Sequence, residues 1–302
     1  MKILAPHGLH IGVFQGLNET CHHTFSVPRW STDVRPKPSC VIEEPLNYDG
    51  DYDCILVQSI GDWNEIPNKE RKPIIYYDLM NGRGVPGPAM IYNHRNTILA
   101  YVSNSCRISH GIYEQVPHYV LYPGIDENAW GFDSYDGLFD DRSRNAKIVH
   151  ARNDFSKRDV PKYNDYLYLT RDMPSVLIGA GGDKVLNLRD MNAEYWTSRV
   201  YVNVEIATST FSIATMEAMM AGLPIVSNNV EGSADYIKNG INGYVGNNLP
   251  LLRKHIEELL NNKELAISMG NESRKIATLM FGKKQFNANV NYLFDNLESL
   301  KR

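Results

Sequence analysis

The chain has 302 residues, of which 43% are hydrophobic and 22% are charged, and this globular composition excludes a disordered, collagen-like or disulfide-stapled protein. At about 100 to 200 residues per domain, the length predicts two domains. The net charge of −4 is unevenly divided: residues 1–140 carry 10 basic and 17 acidic side chains, and the remainder carries 21 and 18. Because nucleic acid binding requires a basic stripe, it is disfavoured, whereas the mildly basic second half suits a small anionic ligand such as a diphosphate.

Short apolar runs alternate with polar loops in the first half of the chain. Such runs are typical of strands that are buried on both faces of a parallel sheet. None approaches the roughly 20 residues that a membrane-spanning helix needs, and the amino terminus lacks the pattern of a signal peptide, so we expect a cytoplasmic protein without an integral membrane segment. The predicted strands are 2–5, 54–57, 74–77, 101–103 and 119–122, with long loops at 21–45 and 81–88 and a linker at 126–144.

Strands and helices alternate in the second half, which indicates βαβ units and a second parallel sheet. Apolar residues at spacings of three and four predict an amphipathic closing helix at 285–300. We expect one domain at 1–135, a second at 136–280, and a helix at 281–302 that packs back toward the N-terminal domain. The other predicted elements of this half are strands at 147–151, 175–179, 200–204, 224–227 and 243–245, and helices at 213–220, 251–260 and 264–280.

The sequence contains little that indicates a metal site. Its four cysteines are scattered without CxxC spacing, which favours reduced thiols. His22 and His23 are adjacent, but no carboxylate lies at ligand spacing from them. We therefore predict no metal ligands.

Arg152 and Lys157 follow directly after the predicted strand 147–151. Lysine and arginine are usually solvated, so a pair of surface cations is the alternative, but the position at the carboxyl end of a strand, where α/β proteins bind ligands, narrows that preference. The planar guanidinium and the compact ammonium charge together neutralise the oxygens of a departing diphosphate.

A second candidate segment begins with Ser209, Thr210 and Ser212, which are natural N-caps for a helix that starts near Phe211. The free N–H groups and the positive dipole end of such a helix attract an anion. Glu217 lies within this helix among apolar neighbours. We therefore interpret its carboxylate as a ligand for the two hydroxyls of a ribose, rather than as an exposed helix glutamate.

The order and spacing of several short segments are more specific than any one of them. In the second half these are Arg152 with Lys157, 178–179, 217–226 and 239–245, and in the first half 53–57, 102–105 and 121–126. Together they resemble the GT-B glycosyltransferases of family 4. The resemblance implies an α/β fold with two Rossmann-like parallel-sheet domains that face a cleft, of which the N-terminal domain is reduced.

By this resemblance, the protein is a retaining, metal-independent hexosyl- or pentosyltransferase that uses a nucleotide-diphosphate sugar of UDP or GDP type. The nucleotide sugar is a co-substrate, so no cofactor is expected. Arg152 and Lys157 would bind the donor diphosphate, and Glu217 the nucleotide ribose. A sugar, a polymer or a nucleic-acid base is compatible as acceptor, and the oligomeric state stays open. The other donor-binding residues that the resemblance implies are Ser209, Thr210, Phe211, Ser212, Gly8 and Gly179.

Two positions depart from the family pattern. The family usually has a second glutamate eight residues before Glu217, in contact with the donor sugar, and this chain has Ser209 there. In the first half, the position of the family's usual histidine falls near Asp78. Asp78 is therefore our candidate for contacting the acceptor or the donor sugar.

Two alternative functions stay open. The first, motivated by Ser209, is a catalytically weak protein that binds nucleotide sugars. The second is a nucleotide-sugar epimerase of the same fold. A Rossmann dehydrogenase is disfavoured, because the glycines of 179–182 follow a strand without GxGxxG spacing.

Overall fold

The computed structural model of the protein describes residues 1–30, 37–79, 91, 94–109, 118–130, 144–151, 160–184, 186–204, 211–228 and 233–300. The chain divides into two compact units: unit 1 comprises 1–125 with 281–302, and unit 2 comprises 126–280. The division falls at residue 125, where the sequence pattern favoured 135. Among the described residues, no helix is both long and apolar enough to cross a lipid bilayer.

Within the described residues, each unit is built on one sheet with flanking helices. The strands are β1 (Lys2–Leu4), β2 (Thr24–Val27), β3 (Val41–Glu43), β4 (Cys54–Val57), β5 (Ile74–Asp78), β6 (Thr97–Tyr101), β7 (His118–Val120), β8 (Ile148–Ala151), β9 (Ser175–Ile178), β10 (Val200–Asn203), β11 (Ile225–Ser227) and β12 (Gly243–Val245). The helices are α1 (Ile11–Phe14), α2 (Ile60–Glu65), α3 (Asn104–Ser109), α4 (Glu127–Trp130), α5 (Val160–Thr170), α6 (Leu188–Thr197), α7 (Ile213–Met220), α8 (Leu249–Asn261), α9 (Lys263–Phe281), α10 (Lys283–Asp295) and α11 (Leu297–Leu300).

The described strands of unit 1 form a parallel sheet with the order β3-β2-β1-β4-β5-β6-β7. The prediction of a strand at 101–103 is wrong, because β6 ends at Tyr101. The sequence is misleading here because the buried Val102 continues the apolar run beyond the end of the strand. The predicted loop at 21–45 is wrong in part, since it contains β2 and β3. Prolines interrupt this stretch of the sequence. Because β3 is an edge strand that exposes Ile42, the apolar run of β3 is too short to indicate a strand. The strands β1, β4, β5 and β7 lie close to their predicted positions.

The closing helix of unit 1 is divided into α10 and α11 at Asn296. The apolar face of α10 packs on residues from the amino-terminal part of the chain. The ring centroid of Phe286 lies 5.8 Å from that of Phe14, and the ring centroid of Phe294 lies 5.5 Å from that of Phe25. The last part of the chain therefore completes the core that its first part begins.

A polar stripe on α10 bonds the segment between α1 and β2. Asn287 Nδ2 donates to the carbonyl of Gly16 at 2.8 Å. One helical turn later, Asn291 Nδ2 donates to the carbonyl of Thr20 at 3.0 Å. Both amides bond backbone carbonyls that lie outside any strand or helix, and the buried bond of Asn287 satisfies a group that water does not reach.

The described strands of unit 2 form a parallel sheet with the order β12-β11-β10-β8-β9. Its strands lie close to their predicted positions, and α7 occupies the predicted range 213–220. The sequence pattern does not indicate α5 and α6, because their buried residues are largely aromatic or polar and form no clear apolar stripe.

Helix α4 lies in the stretch 126–144, which the composition indicates as a linker. Trp130 is fully buried there and stacks on Tyr195 with ring centroids 5.5 Å apart. The side-chain amide of Asn192 donates to the carbonyl of Ala129. This part of the stretch therefore belongs to the core of unit 2.

Gly124 allows α10 to approach the segment that follows β7. A Cβ atom on this residue would overlap the ring of Phe286. We expect Gly124→Ala to lower the free energy of unfolding by about 1 to 3 kcal/mol, because the buried ring of Phe286 would have to move away from the added methyl group and would lose packing contacts. Gly246→Ala is the control, since its added Cβ would meet no atom within 4 Å. Urea unfolding measures both variants, and a Gly124→Ala protein as stable as the control would contradict the close approach.

Candidate active site

The candidate site residues of unit 2 follow the carboxyl ends of its strands. Because the strands are parallel, these ends lie along one edge of the sheet, which is where α/β proteins bind ligands. In the chain, Arg152 comes directly after the last residue of β8. Arg152, Lys157, Ser209 and Thr210 lie outside the described residues, so their roles stay predictions.

Helix α7 begins at this edge with Ser212 as its N-cap. The Oγ atom of Ser212 accepts a hydrogen bond from the backbone N–H of Thr215 at 3.3 Å. The helix therefore starts at Ile213, where the predicted range 213–220 begins and slightly after the start near Phe211 that the N-cap residues favour. The other N–H groups of the first turn have no acceptor within the helix, and together with the positive dipole end they suit an anion.

Glu217 lies in α7 and is only 2% exposed. Every residue of the helix from 215 to 220 is buried, so α7 passes through the interior of unit 2. The alternative that Glu217 is an exposed helix glutamate is therefore wrong. A buried carboxylate is stable only when it is paired or hydrogen-bonded, and in a low-dielectric interior such bonds are strong.

Two arginines hold the carboxyl end of α7. Nη2 of Arg144 donates to the carbonyls of Ala221 and Gly222 at 2.7 and 3.1 Å. Nε of Arg274 donates to the carbonyl of Met220 at 3.1 Å, and its Nη2 donates to Ala221 at 3.1 Å. The carbonyls of the last turn of a helix have no hydrogen-bond donors within the helix, so the two arginines supply the missing donors.

The same arginines stack on Trp196. Their guanidinium carbons lie 4.8 Å (Arg144) and 4.7 Å (Arg274) from the centroid of its ring. Nη1 of Arg144 also donates to the carbonyls of Tyr195 and Ser198 at 3.0 and 3.2 Å, so this one side chain joins the ends of α6 and α7. No sequence signal identifies Arg144, because it lies at the end of the stretch that was expected to be a linker.

Gly179 follows β9 with a φ of +129°, a conformation that favours glycine. Its N–H donates to the carbonyl of Lys184 at 2.7 Å, and the N–H of Gly182 donates to the carbonyl of Gly179 at 3.0 Å. The loop 179–184 is thus closed on itself, with the N–H of Gly179 bonded inside it. A contact between Gly179 and a nucleotide-sugar donor stays a prediction.

Sequence reasoning missed three buried polar side chains at the same edge of the sheet. Asn203 ends β10, Ser227 ends β11, and Ser233 follows β11 in the chain. Nδ2 of Asn203 donates to Oγ of Ser227 at 3.1 Å, and the hydroxyls of the two serines lie 3.1 Å apart. Oδ1 of Asn203 is buried and has no hydrogen-bond partner in the described part of the chain. A buried acceptor without a partner is costly, which makes this oxygen a candidate contact for a ligand hydroxyl.

Gly8 and Asp78 lie at the carboxyl edge of the sheet of unit 1. Gly8 follows β1 with a φ of +84°, and its N–H donates to the carbonyl of Ala5 at 3.0 Å. Asp78 is the last residue of β5 and is buried. Since β4 lies between them, the strands β1 and β5 that these residues follow or end are about 10 Å apart along the sheet. Their contacts with a sugar or a phosphate stay predictions.

Comparison with known proteins identifies the segment that carries α7. Residues 186–276 match the model of the family described as "Glycosyl transferases group 1". This segment of unit 2 is therefore similar in sequence to group 1 glycosyltransferases. A curated relative, the capsular polysaccharide biosynthesis glycosyltransferase CapM of Staphylococcus aureus, is 26% identical over 114 residues. That match covers 37% of this chain and 28% of the relative, so the chain spans little more than a quarter of its length.

Solved structures share the fold of the chain. A glycosyltransferase from Rickettsia africae ESF-5 matches with a TM-score of 0.70 and 13% identity, over 98% of each chain. Anabaena Alr3699/HepE in complex with UDP matches with a TM-score of 0.68 and 12% identity, over 98% of this chain and 100% of that one. The predicted GT-B fold, with two parallel-sheet α/β domains, is confirmed.

In unit 2, we expect Arg144→Lys to lower the free energy of unfolding by about 2 to 4 kcal/mol, because one ammonium cannot serve the carbonyls of two helix ends. Arg253→Lys is the matched control, since Arg253 donates to two exposed carbonyls, those of Tyr168 and Arg171. We expect a change of about 0.5 kcal/mol or less for the control. Chemical unfolding followed by tryptophan fluorescence measures both. Equal losses would show that Arg144 does not hold the end of α7.

Proposed function

We propose that the protein is a glycosyltransferase that moves a hexose or a pentose from a nucleotide-diphosphate sugar to a sugar or polymer acceptor. The observation that carries the proposal is the match of residues 186–276 to the group 1 family model, because this segment contains α7 and Glu217. The acidic first half of the chain disfavours a nucleic-acid base as acceptor.

The proposed donor site lies at the carboxyl edge of the sheet of unit 2. We assign Glu217 to the ribose hydroxyls, because an ionised carboxylate accepts from two hydroxyls at once. The N–H groups at the start of α7 are assigned to the phosphates. Arg152 and Lys157 supply the positive charge that balances the diphosphate. Asn203 Oδ1 offers a further acceptor for a hydroxyl of the donor.

We propose transfer with retention at the anomeric carbon and without a metal ion at the reacting centre. The bond from the anomeric carbon to the diphosphate oxygen breaks, and the acceptor oxygen forms its bond on the same face of the sugar. The proton of the acceptor passes to an oxygen of the leaving diphosphate, so the step requires no protein nucleophile. Arg152 and Lys157 stabilise the charge on the leaving group, while α7 fixes the position of the donor.

A UDP-sugar is the first donor to test. The Anabaena protein that shares this fold is in complex with UDP in one structure and with UDP-glucose in another. In unit 1, we assign Asp78 to a hydroxyl of the acceptor or the donor sugar, because a carboxylate at the end of β5 is suited to accept from hydroxyls.

Ser209 favours a second candidate function, a nucleotide-sugar-binding protein with weak catalysis. A serine hydroxyl is shorter than a glutamate side chain and carries no charge, so it holds a donor sugar less firmly. The two functions agree on nucleotide binding and differ in turnover.

Glu217→Gln is expected to weaken UDP binding by about 10-fold to 100-fold, because the amide replaces one accepting oxygen and removes the charge that strengthens both bonds. A thermal-shift titration with UDP and UDP-glucose measures the loss. The control is Glu264→Gln, at an exposed position in the first turn of α9, which should respond to UDP as the unmodified protein does. Unchanged UDP affinity in a folded Glu217→Gln protein would overturn the ribose assignment.

Lys157→Ala separates the two candidate functions. For a transferase, we expect sugar release from UDP-glucose, or transfer to an acceptor, to fall by about 100-fold or more, because charge stabilisation of the leaving diphosphate is lost. Chromatography of the released UDP measures the rate. Binding of UDP-sugars with no turnover by the unmodified protein, across donors and acceptors, would favour the binding protein.

Ser209→Glu restores the residue that the family usually has at this position. We expect it to raise the affinity for a UDP-sugar relative to UDP alone, since a carboxylate adds strong acceptors for sugar hydroxyls. The ratio of the two dissociation constants, measured by calorimetry, isolates the contribution of the sugar. Ser209→Gln is the matched control for side-chain length without charge. A ratio that stays constant in Ser209→Glu would show that residue 209 does not face the sugar.

A further inference from the structure

Unit 1 brings together three side chains that the sequence keeps far apart. His22 and His23 directly precede β2, and Asp295 ends α10. Nε2 of His22 lies 3.0 Å from each carboxylate oxygen of Asp295, and Nε2 of His23 lies 3.4 Å from Oδ1. All of these ligand atoms lie within 4.8 Å of one another. The carboxylate that two adjacent histidines lack in the sequence is therefore supplied by the fold.

His23 is the buried member of the cluster. Its side chain is 1% exposed, and Nε2 has no hydrogen-bond partner among the described residues, although it faces Asp295. Its Nδ1 lies 3.3 Å from the ammonium of Met1. Burial lowers the pKa of His23, and the positive charges of Met1 and His22 lower it further. The position of its Nε2 atom beside Oδ1 of Asp295 makes His23 a candidate metal ligand on geometric grounds.

His22 and Asp295 form the open side of the cluster. Their side chains are 57% and 49% exposed, so an ion reaches them from solvent. The hydrogen bond from His22 holds the pKa of Asp295 below its usual range.

We propose that His22, His23 and Asp295 form a binding site for a divalent transition metal of the Zn²⁺ class. Two imidazole nitrogens and one carboxylate oxygen are a donor set that Zn²⁺ accepts, with water in the fourth position. Ca²⁺ and Mg²⁺ prefer sites made of oxygen ligands and are not expected to bind here.

The position of the cluster indicates what the metal would do. His22 and His23 lie before β2, at the amino-terminal edge of the sheet, whereas Gly8 and Asp78 lie at the carboxyl edge. The site is therefore separate from the edge at which α/β proteins bind substrates. A metal here would join α10 to the segment before β2, and it stabilises unit 1 independently of sugar transfer.

The test uses the full chain without a histidine tag, first treated with EDTA and then titrated with ZnCl₂. We expect about one equivalent to bind by calorimetry, with a rise in Tm of about 3 °C or more at saturation. Titration with CoCl₂ should give the visible absorption of a low-symmetry Co²⁺ site. A titration with MgCl₂ should produce neither signal.

His22→Gln and Asp295→Asn change the two partly exposed ligands and leave the buried histidine in place. Each should weaken Zn²⁺ binding by about tenfold or more and reduce the rise in Tm. The matched control is His7→Gln, since His7 pairs with one carboxylate, that of Glu65 at 3.0 Å, and should bind Zn²⁺ as the unmodified protein does. Zn²⁺ affinity that is unchanged in both cluster variants, or the absence of stoichiometric binding, would overturn the proposal. So would a loss of Tm in Asp295→Asn that is the same with EDTA and with Zn²⁺, because it would show that the ion pair alone has the structural role.

Discussion

Parallel pairing constrains both sheets, and the positions of the candidate sites follow from it. Parallel neighbours cannot be joined by a tight turn, so each connection crosses a face of the sheet and covers it. The same pairing collects all carboxyl ends at one edge and all amino ends at the other. In unit 1, this separates Asp78, at the end of β5, from His23, just before β2. One sheet therefore presents two chemically different edges, one with a carboxylate suited to hydroxyls and one with a cluster suited to a metal.

Covering the sheet of unit 1 requires the end of the chain. The described helices of its amino-terminal part are short, with four residues in α1 and six in α2, so they cover little apolar surface. The thirteen-residue α10 supplies Phe286 and Phe294 to the rings of Phe14 and Phe25. The core of unit 1 is therefore complete only when residues at both ends of the sequence have met. A metal bound beside Asp295 would strengthen this same long-range contact.

In unit 2, side-chain hydrogen bonds fix both ends of α7. Ser212 caps one end of the helix, while Arg144 and Arg274 bond the carbonyls at the other end. Glu217 is thereby held in a fixed place within a buried helix, as the proposed role in positioning a donor requires. The helix and its glutamate could be predicted, because the N-cap residues, the apolar run and the glycine at 222 are all local signals. The arginine clamp could not, since its acceptors lie on two helices that are distant in the sequence.

The sequence by itself determined the fold class, most strands of both sheets, and the range of α7, because burial on both faces and helix capping are written in local patterns. It did not determine where β6 ends, since the apolar run continues into Val102, nor that β2 and β3 form in a proline-rich stretch. Only the tertiary structure decided that Asn203 and Ser227 meet, and that His22 has a carboxylate beside it. The physical reason is the same in each case: strand pairing and helix docking bring together groups from separate segments, and the local pattern of either segment carries no record of its partner.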